Sequence, residues 1–320
     1  MATAMPRMAV SALVGGMGAA WYFGKLDPLL TKAGFTGATM GNPPEHEVYP
    51  NPFHIPADYK SPWPREAEDM IRKLESEGPQ MESFAFINDY ADARILPLLA
   101  RVGTKARELR IHLSFGSITD LSLVHLLLHM PLLRLVDFER LEGAISDQVL
   151  SSLVDICKDL ESIRIRGAGG YEDMIAVDKA VEHFAKRLGR QLKHLDLSED
   201  MPVSDEGLSY LAEHCPNLEL LNVQSGFSKY TDEGVMQVLR GCRKLQHLDV
   251  SGMNNVTSTL LAHIAVPEMA PSLKVLRVTP WELGGKVEAQ FIQDLRVLRP
   301  DVKVYACNTE GKAPSLMDKV

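Results

Sequence analysis

Apolar residues recur along this chain at the first, fourth and sixth positions of a unit whose period, about 27 residues, is that of a repeat architecture. Leu192, Leu195 and Leu197 give the clearest case, and Leu218/Leu221/Val223, Leu245/Leu248/Val250 and Leu273/Leu276/Val278 repeat it. The same spacing holds upstream at Leu133/Val136/Phe138 and Leu160/Ile163/Ile165, with weaker units at Met81/Phe84/Phe86 and Ala106/Leu109/Ile111. Val302 and Val304 stand where a last unit is due. The clear units start at Leu133, Leu160, Leu192, Leu218, Leu245 and Leu273, nearly evenly spaced but for one longer step. That period with that apolar signature marks a leucine-rich repeat, whose units bury a continuous core only by stacking. The pattern therefore predicts an α/β solenoid over 81–305, a horseshoe arc of nine parallel strands with helices on the convex side. The atypical first and last units act as caps.

The polar positions predict where each helix starts. Thr119, Ser146, Ser204, Thr231 and Thr257 occupy nearly the same place in their units, a short way past the apolar triplet. A side-chain oxygen there can accept a hydrogen bond from the orphan N–H groups of a first helical turn. Asp120, Asp147, Asp205 and Asp232 follow directly, where the helix dipole favours negative charge. One unit departs from the pattern, because the step from Leu160 to Leu192 is longer than its neighbours. Its cap is expected at Asp178, which puts the extra residues between strand and helix, within Arg166 to Val177. That segment holds Gly167-Ala168-Gly169-Gly170-Tyr171. Insertions in repeat proteins map to loops on one face, often the binding face.

The pattern is different before residue 81. Residues 65–80 read as a short charged helix, with Met70, Ile71 and Leu74 on one side, stopped by Gly78-Pro79. Residues 25–64 carry eight prolines, which exclude a long helix or a central strand. Val48, Tyr49, Phe53, Ile55, Tyr59 and Trp63 are interleaved among them, more apolar groups than a solvated linker carries. This arm is expected to lie extended on a surface, either its own repeat domain or a partner. Residues 1–24 hold no charge from Met8 to Gly24 and end in Trp21, Tyr22 and Phe23. That uncharged run is at the short limit of a membrane span, and aromatic residues suit a membrane–water interface. Gly15/Ala19 and Gly16/Ala20 have the small-x-x-x-small spacing that lets another helix approach. The expectation is a hydrophobic anchor helix. A mitochondrial presequence, a secretory signal and an uninserted tail compete with it. Residues 306–320 form a tail.

Charge and cysteine usage narrow the function. A net charge of −8 disfavours general nucleic-acid binding, which needs a basic face to displace counterions. Of four cysteines, Cys157, Cys215 and Cys242 occupy one repeat position, just before the next strand. They read as buried, reduced thiols and favour a reducing compartment. No cofactor, metal or catalytic constellation is expected. His125 and His129 lie four apart with no third ligand in sight. Gly167-Ala168-Gly169-Gly170 lacks the Gly-Lys-Ser/Thr of a phosphate loop.

The units from Lys193-His194-Leu195-Asp196-Leu197-Ser198 through Ser204-Asp205-Glu206-Gly207-Leu208 to His214-Cys215-Pro216-Asn217-Leu218 resemble cysteine-containing leucine-rich repeats. Such repeats occur in F-box and ribonuclease-inhibitor-like proteins. The following unit, with Thr231-Asp232-Glu233-Gly234-Val235 and Gly241-Cys242, is as close. The F-box resemblance implies a soluble, cytoplasmic substrate-recognition adaptor of a ubiquitin ligase, although residues 1–80 show no F-box pattern. A hydrophobic start, a proline-rich arm and a short repeat domain together also resemble mitochondrial proteins of the ATP synthase coupling factor B and complex I assembly type. That likeness implies an accessory subunit or assembly factor on the inner membrane or matrix side, with protein subunits as partners and the membrane held through residues 1–24.

Side chains between the apolar strand positions face away from the helices and form the candidate binding surface. One column reads Arg110, Asp137, Arg164, Asp196, Asn222, Asp249, Arg277, and Glu139 and Arg166 belong to the next. Parallel strands lie about 4.8 Å apart, so neighbours in a column touch. Together with Tyr171 in the insertion they are expected to form a mixed-charge docking face for protein partners. The competing reading is that the Asp and Asn residues only bond locally. The overall expectation is a non-enzymatic interaction scaffold of a membrane complex, with the ligase adaptor as the alternative.

Overall fold

The computed structural model describes residues 51–87, 89, 94–112, 118–141, 145–167, 174–199, 201–224, 229–252 and 255–308, with only the backbone of 174–176. The anchor residues Gly15, Gly16, Ala19, Ala20, Trp21, Tyr22 and Phe23, the arm before residue 51, Tyr171 and most of the C-terminal tail lie outside them. Among the described residues no helix is long and apolar enough to cross a membrane.

The chain is a leucine-rich repeat solenoid. Among the described residues the series opens with helix α1 (Ala67–Glu77), then β1 (Ser83–Ile87), α2 (Ile95–Val102), β2 (Glu108–His112), α3 (Asp120–Leu128) and β3 (Leu135–Glu139). The series continues with α4 (Asp147–Ile156), β4 (Ser162–Arg166), α5 (Met174–Leu188), β5 (His194–Asp196), α6 (Asp205–His214) and β6 (Leu220–Asn222). It ends with α7 (Asp232–Gly241), β7 (His247–Asp249), α8 (Ser258–Ile264), β8 (Val275–Val278), α9 (Ala289–Leu298) and β9 (Lys303–Ala306). The nine strands form one sheet in sequence order, every pair parallel. The middle apolar positions align across it, from Phe84 and Leu109 through Val136, Ile163, Leu195, Leu221 and Leu248 to Leu276 and Val304. All are buried between sheet and helices, where each large apolar side chain contributes roughly 2 kcal/mol.

Thr119, Ser146, Ser204, Thr231 and Thr257 each cap a helix by accepting a backbone N–H of its first turn. The aspartates after them do more than meet a helix dipole. Asp205 accepts the N–H of Thr231 at 2.7 Å and its hydroxyl at 2.9 Å, so the start of α6 is tied to that of α7. Asp178 holds Ser204 and Asp232 holds Thr257 in the same way, and Asp120 takes the Ser146 hydroxyl at 3.3 Å. This contact explains the glycine in Asp-Glu-Gly. A Cβ on Gly234 would lie 2.1 Å from Asp205 Oδ1, and one on Gly207 2.3 Å from Asp178 Oδ1.

One expectation is corrected. Asp178 is not a cap, because α5 begins upstream of it, at Met174. Asp178 keeps the register of Asp205 and Asp232, and the longer unit extends its helix upstream. Part of the insertion is therefore helix rather than loop.

The three cysteines sit where predicted, at the ends of α4, α6 and α7, each buried. Burial pushes each of these thiols up to about 12. Such thiols are poor nucleophiles, since the thiolate is the reactive form.

Candidate interaction surface

The sheet face away from the helices carries three columns. From β2 onward the first runs Glu108, Leu135, Ser162, His194, Leu220, His247, Val275; the second runs Arg110, Asp137, Arg164, Asp196, Asn222, Asp249, Arg277; the third holds His112, Glu139 and Arg166.

Over β2–β4 this face is a charged lattice, most of it buried. Asp137 is fully buried and Arg164 is 7 % exposed. Arg164 Nε donates to Asp137 at 2.7 Å, and Arg164 Nη2 reaches Glu139 at 3.2 Å. His112 Nε2 lies 2.9 Å from Asp137, and Arg110 approaches the same carboxylate at 3.5 Å. Burial pushes the Asp137 carboxyl up, but the hydrogen bond from His112 and the charge of Arg164 outweigh it and hold the group below its usual range. A buried charge needs such company, because desolvation alone would disfavour ionisation. Arg166 turns outward and pairs with Glu199 at 2.6 Å, both partly exposed.

Over β5–β7 the same column behaves differently. Asp196 Oδ1 accepts the N–H of Ser198 at 3.0 Å, Asn222 that of Gln224 at 3.0 Å, and Asp249 that of Ser251 at 2.9 Å. Burial pushes the Asp196 carboxyl up, against the pull of Arg164 and Ser198. Asp249 also meets Arg277 at 3.2 Å. Here the local-bonding reading describes Asp196 and Asn222, and Asp249 combines it with one ion pair.

The described part of the arm, residues 51–64, packs on its own domain. From Asn51 to Trp63 it lies on its own solenoid. Phe53 is buried on the sheet face, with its ring 5.4 Å from the Arg164 guanidinium and edge-on to His194 at 6.4 Å. Arg110 donates to the Pro52 carbonyl at 3.0 Å and Arg164 to that of Phe53 at 3.2 Å. Trp63 stacks on Phe86 at 4.9 Å, and its indole N–H donates to the Ala85 carbonyl at 2.8 Å. Trp63 and α1, with buried Met70 and Leu74, thereby cover the first-strand edge of the core.

Of the charged residues the sequence places side by side, Arg164 meets Asp137 and Glu139, Arg110 approaches Asp137, and Arg166 pairs with Glu199 instead; that Phe53 sits on this group was missed. Asn51-Pro52-Phe53 carried a signal: an Asn two positions before an amide can accept that N–H and set a turn. His112 and Glu199 complete the ionic groups and were not singled out either. His125 and His129 pack ring to ring at 4.6 Å on α3. Among the described residues no group of three His, Cys, Asp or Glu could hold a metal. Among the described residues, open depressions of about 600 Å³, bordered by Glu219, Lys244 and Lys274, and of about 350 Å³, between α1 and α2 and lined by Glu68, Glu75, Arg94 and Arg101, mark the surface.

Curated proteins of similar sequence include an F-box protein and a DNA repair protein. The chain is 32% identical over 74 residues to the F-box protein SKIP1 of Arabidopsis thaliana, covering 23% of this chain and 24% of that protein. It is 27% identical over 114 residues to the DNA repair protein rhp7 of Schizosaccharomyces pombe, covering 36% of this chain and 19% of that protein. The chain therefore spans about a quarter or less of the length of these curated relatives. A chain of the yeast Rad7 and Elc1 complex crystal structure aligns over 99% of this chain and 97% of its own length, with 11% identity and a TM-score of 0.36. No family model matches the sequence. The mitochondrial coupling-factor likeness finds no support among these relatives, and neither does a mitochondrial or membrane location.

Proposed function

We propose that the chain is a non-enzymatic protein-interaction scaffold and that it serves as a substrate-recognition adaptor of the ubiquitin-ligase type. The observation that carries this reading is the identity shared with an F-box protein, within a solenoid whose repeat units resemble F-box-type repeats. The buried thiols are consistent with a reducing compartment such as the cytoplasm. In this reading the sheet face and its arm meet the substrate protein, and Arg110, Arg164 and Arg166 with Asp137 and Glu139 set partner choice.

The test is purification of the full-length chain from cells in mild detergent, with mass spectrometry of its partners. The expected result is co-purification of ubiquitin-ligase scaffold subunits and release of the chain by carbonate extraction. Retention in the carbonate-resistant membrane fraction with respiratory or ATP synthase subunits would overturn it.

A further inference from the structure

The segment on the sheet face is held there like a guest. Asn51 Oδ1 accepts the Phe53 N–H at 2.9 Å, and the Asn51 carbonyl accepts that of His54 at 3.1 Å. The turn is therefore made by the segment itself and not by the surface beneath it. To that surface it offers one aromatic ring and two backbone carbonyls. The ring takes the cleft between Arg164 and His194, and Leu135 belongs to the same apolar cluster. The carbonyls take one N–H each from Arg110 and Arg164. Both of these hydrogen bonds are to backbone, which any peptide with the same turn presents.

The connection back to the solenoid is mostly exposed, with half-buried Tyr59 and the Pro62 carbonyl, which accepts from Lys73 Nζ at 2.8 Å, as its points of contact. Between the buried anchors Phe53 and Trp63, the residues His54, Pro56, Ala57, Asp58, Lys60 and Pro62 are exposed. Trp63 and α1 hold the core edge by contacts of their own, so Phe53 can leave without uncovering it. The cleft it would vacate is built by a lattice that stays bonded within itself, through His112, Asp137, Glu139 and Arg164.

We propose that the cleft over β2–β5 is a recognition site for a short turn in a partner protein, carrying an aromatic side chain directly after Asn-Pro or Asp-Pro. The chain's own Asn51-Pro52-Phe53 fills the site until such a turn displaces it. This deepens the adaptor reading, and rests on it, by naming the class of segment recognised. The short connection from Phe53 to Trp63 keeps the segment at an effective concentration on the order of millimolar, so a partner turn must outcompete it.

The probe is a fluorescein-labelled peptide with the sequence of residues 48–57, titrated against the full chain by fluorescence anisotropy. The wild-type chain is expected to bind it at least tenfold more weakly than Phe53→Ala, whose cleft is open. A peptide with Ala in place of its Phe is expected to show no saturable binding. Adding Arg110→Ala to the Phe53→Ala chain should weaken capture severalfold. Asn51→Ala frees only the turn and leaves the core untouched, so it serves if Phe53→Ala does not fold; it is expected to bind the probe severalfold more tightly than wild type. The proposal is overturned if a folded Phe53→Ala or Asn51→Ala chain, judged by circular dichroism and a cooperative melt, binds no better than wild type. Equal binding of the Phe and Ala peptides overturns it too. These titrations use purified chain alone. Their failure would leave the co-purification result standing, and failure of co-purification would leave the cleft's peptide preference intact.

Discussion

The two halves of the sheet face use one column of residues in opposite ways. In β2–β4 the second-column side chains reach across strands, and Arg110, Asp137 and Arg164 join three repeats with His112 and Glu139. In β5–β7, Asp196, Asn222 and Asp249 fold back on the amide two positions along their own strand. Strand length follows from this. In a parallel ladder the amides of Ser198, Gln224 and Ser251 would pair with the preceding strand, but a side-chain oxygen takes each. Those strands span only His194–Asp196, Leu220–Asn222 and His247–Asp249, shorter than each of β1–β4. Asp137 has the same side chain as Asp196, yet His112 and Arg164 claim its carboxylate and β3 runs on. Asp249 folds back on Ser251 even though Arg277 reaches it, so a single partly exposed cation does not free the amide, whereas the buried His112 and Arg164 leave Asp137 no local bond.

The sharpest way to break the comparison is Arg164→Ala. It leaves Asp137 buried with fewer cations and removes a partner of Phe53, so a loss of about 3–5 kcal/mol is expected in urea unfolding. Asn222→Ala loses one local bond and should cost about 1 kcal/mol. Equal losses would mean that the halves do not differ energetically.

Acidification probes the first column of the later strands. Burial brings His194 and His247 down to about 4. In the unfolded chain a histidine titrates near 6.5, so between about pH 6.5 and 4 the unfolded state binds protons that the folded state does not. Stability is therefore lost as pH falls through that window, on the order of 3 kcal/mol for buried His247. His247→Leu should flatten the profile of melting temperature against pH by about half. Asp137 acts in the same direction but further down, since a depressed carboxyl loses its contribution only on protonation.

A smaller effect separates the sheet face from the helix side, where Asp205→Ala removes both acceptors of Thr231 and should cost about 1–2 kcal/mol. Gly234→Ala drives a methyl into Asp205 and should cost more in the wild type than in the Asp205→Ala background. A double-mutant cycle by thermal melts with zero coupling would remove the proposed contact. The smallest effect is expected for Arg166→Ala, below about 1 kcal/mol, because its pair with Glu199 is partly exposed.

Much of the fold was legible because the apolar triplets are short-range and the strands inherit their register. Helix starts were legible for the same reason, since a cap and its amide lie two or three positions apart. The links between helix starts were not, because Asp205 and Thr231 stand in different units and nothing local marks them as partners. Asp178 was misplaced because Asp is a good capping residue, while Met174 to Val177 continue the helix upstream of it. On the sheet face, alternation shows which side chains project and leaves open whether they bond along or across strands. The seat of Phe53 was hidden by the absence of any period in a proline-rich arm.

The aspartate ties have a consequence for how such a chain can change in length. Each tie counts residues from an aspartate in one helix to the cap of the next, and the counts between Asp178, Asp205, Asp232 and their Ser or Thr partners stay at 25 or 26. A residue added inside that interval would pull a cap away from its aspartate. The one long unit gains its residues ahead of Asp178, where no tie is measuring, and the next tie is made as though nothing had been added. Growth is tolerated in the stretch between a strand's end and the tied aspartate, so new recognition loops can accumulate on one rim of the solenoid while its spacing stays fixed.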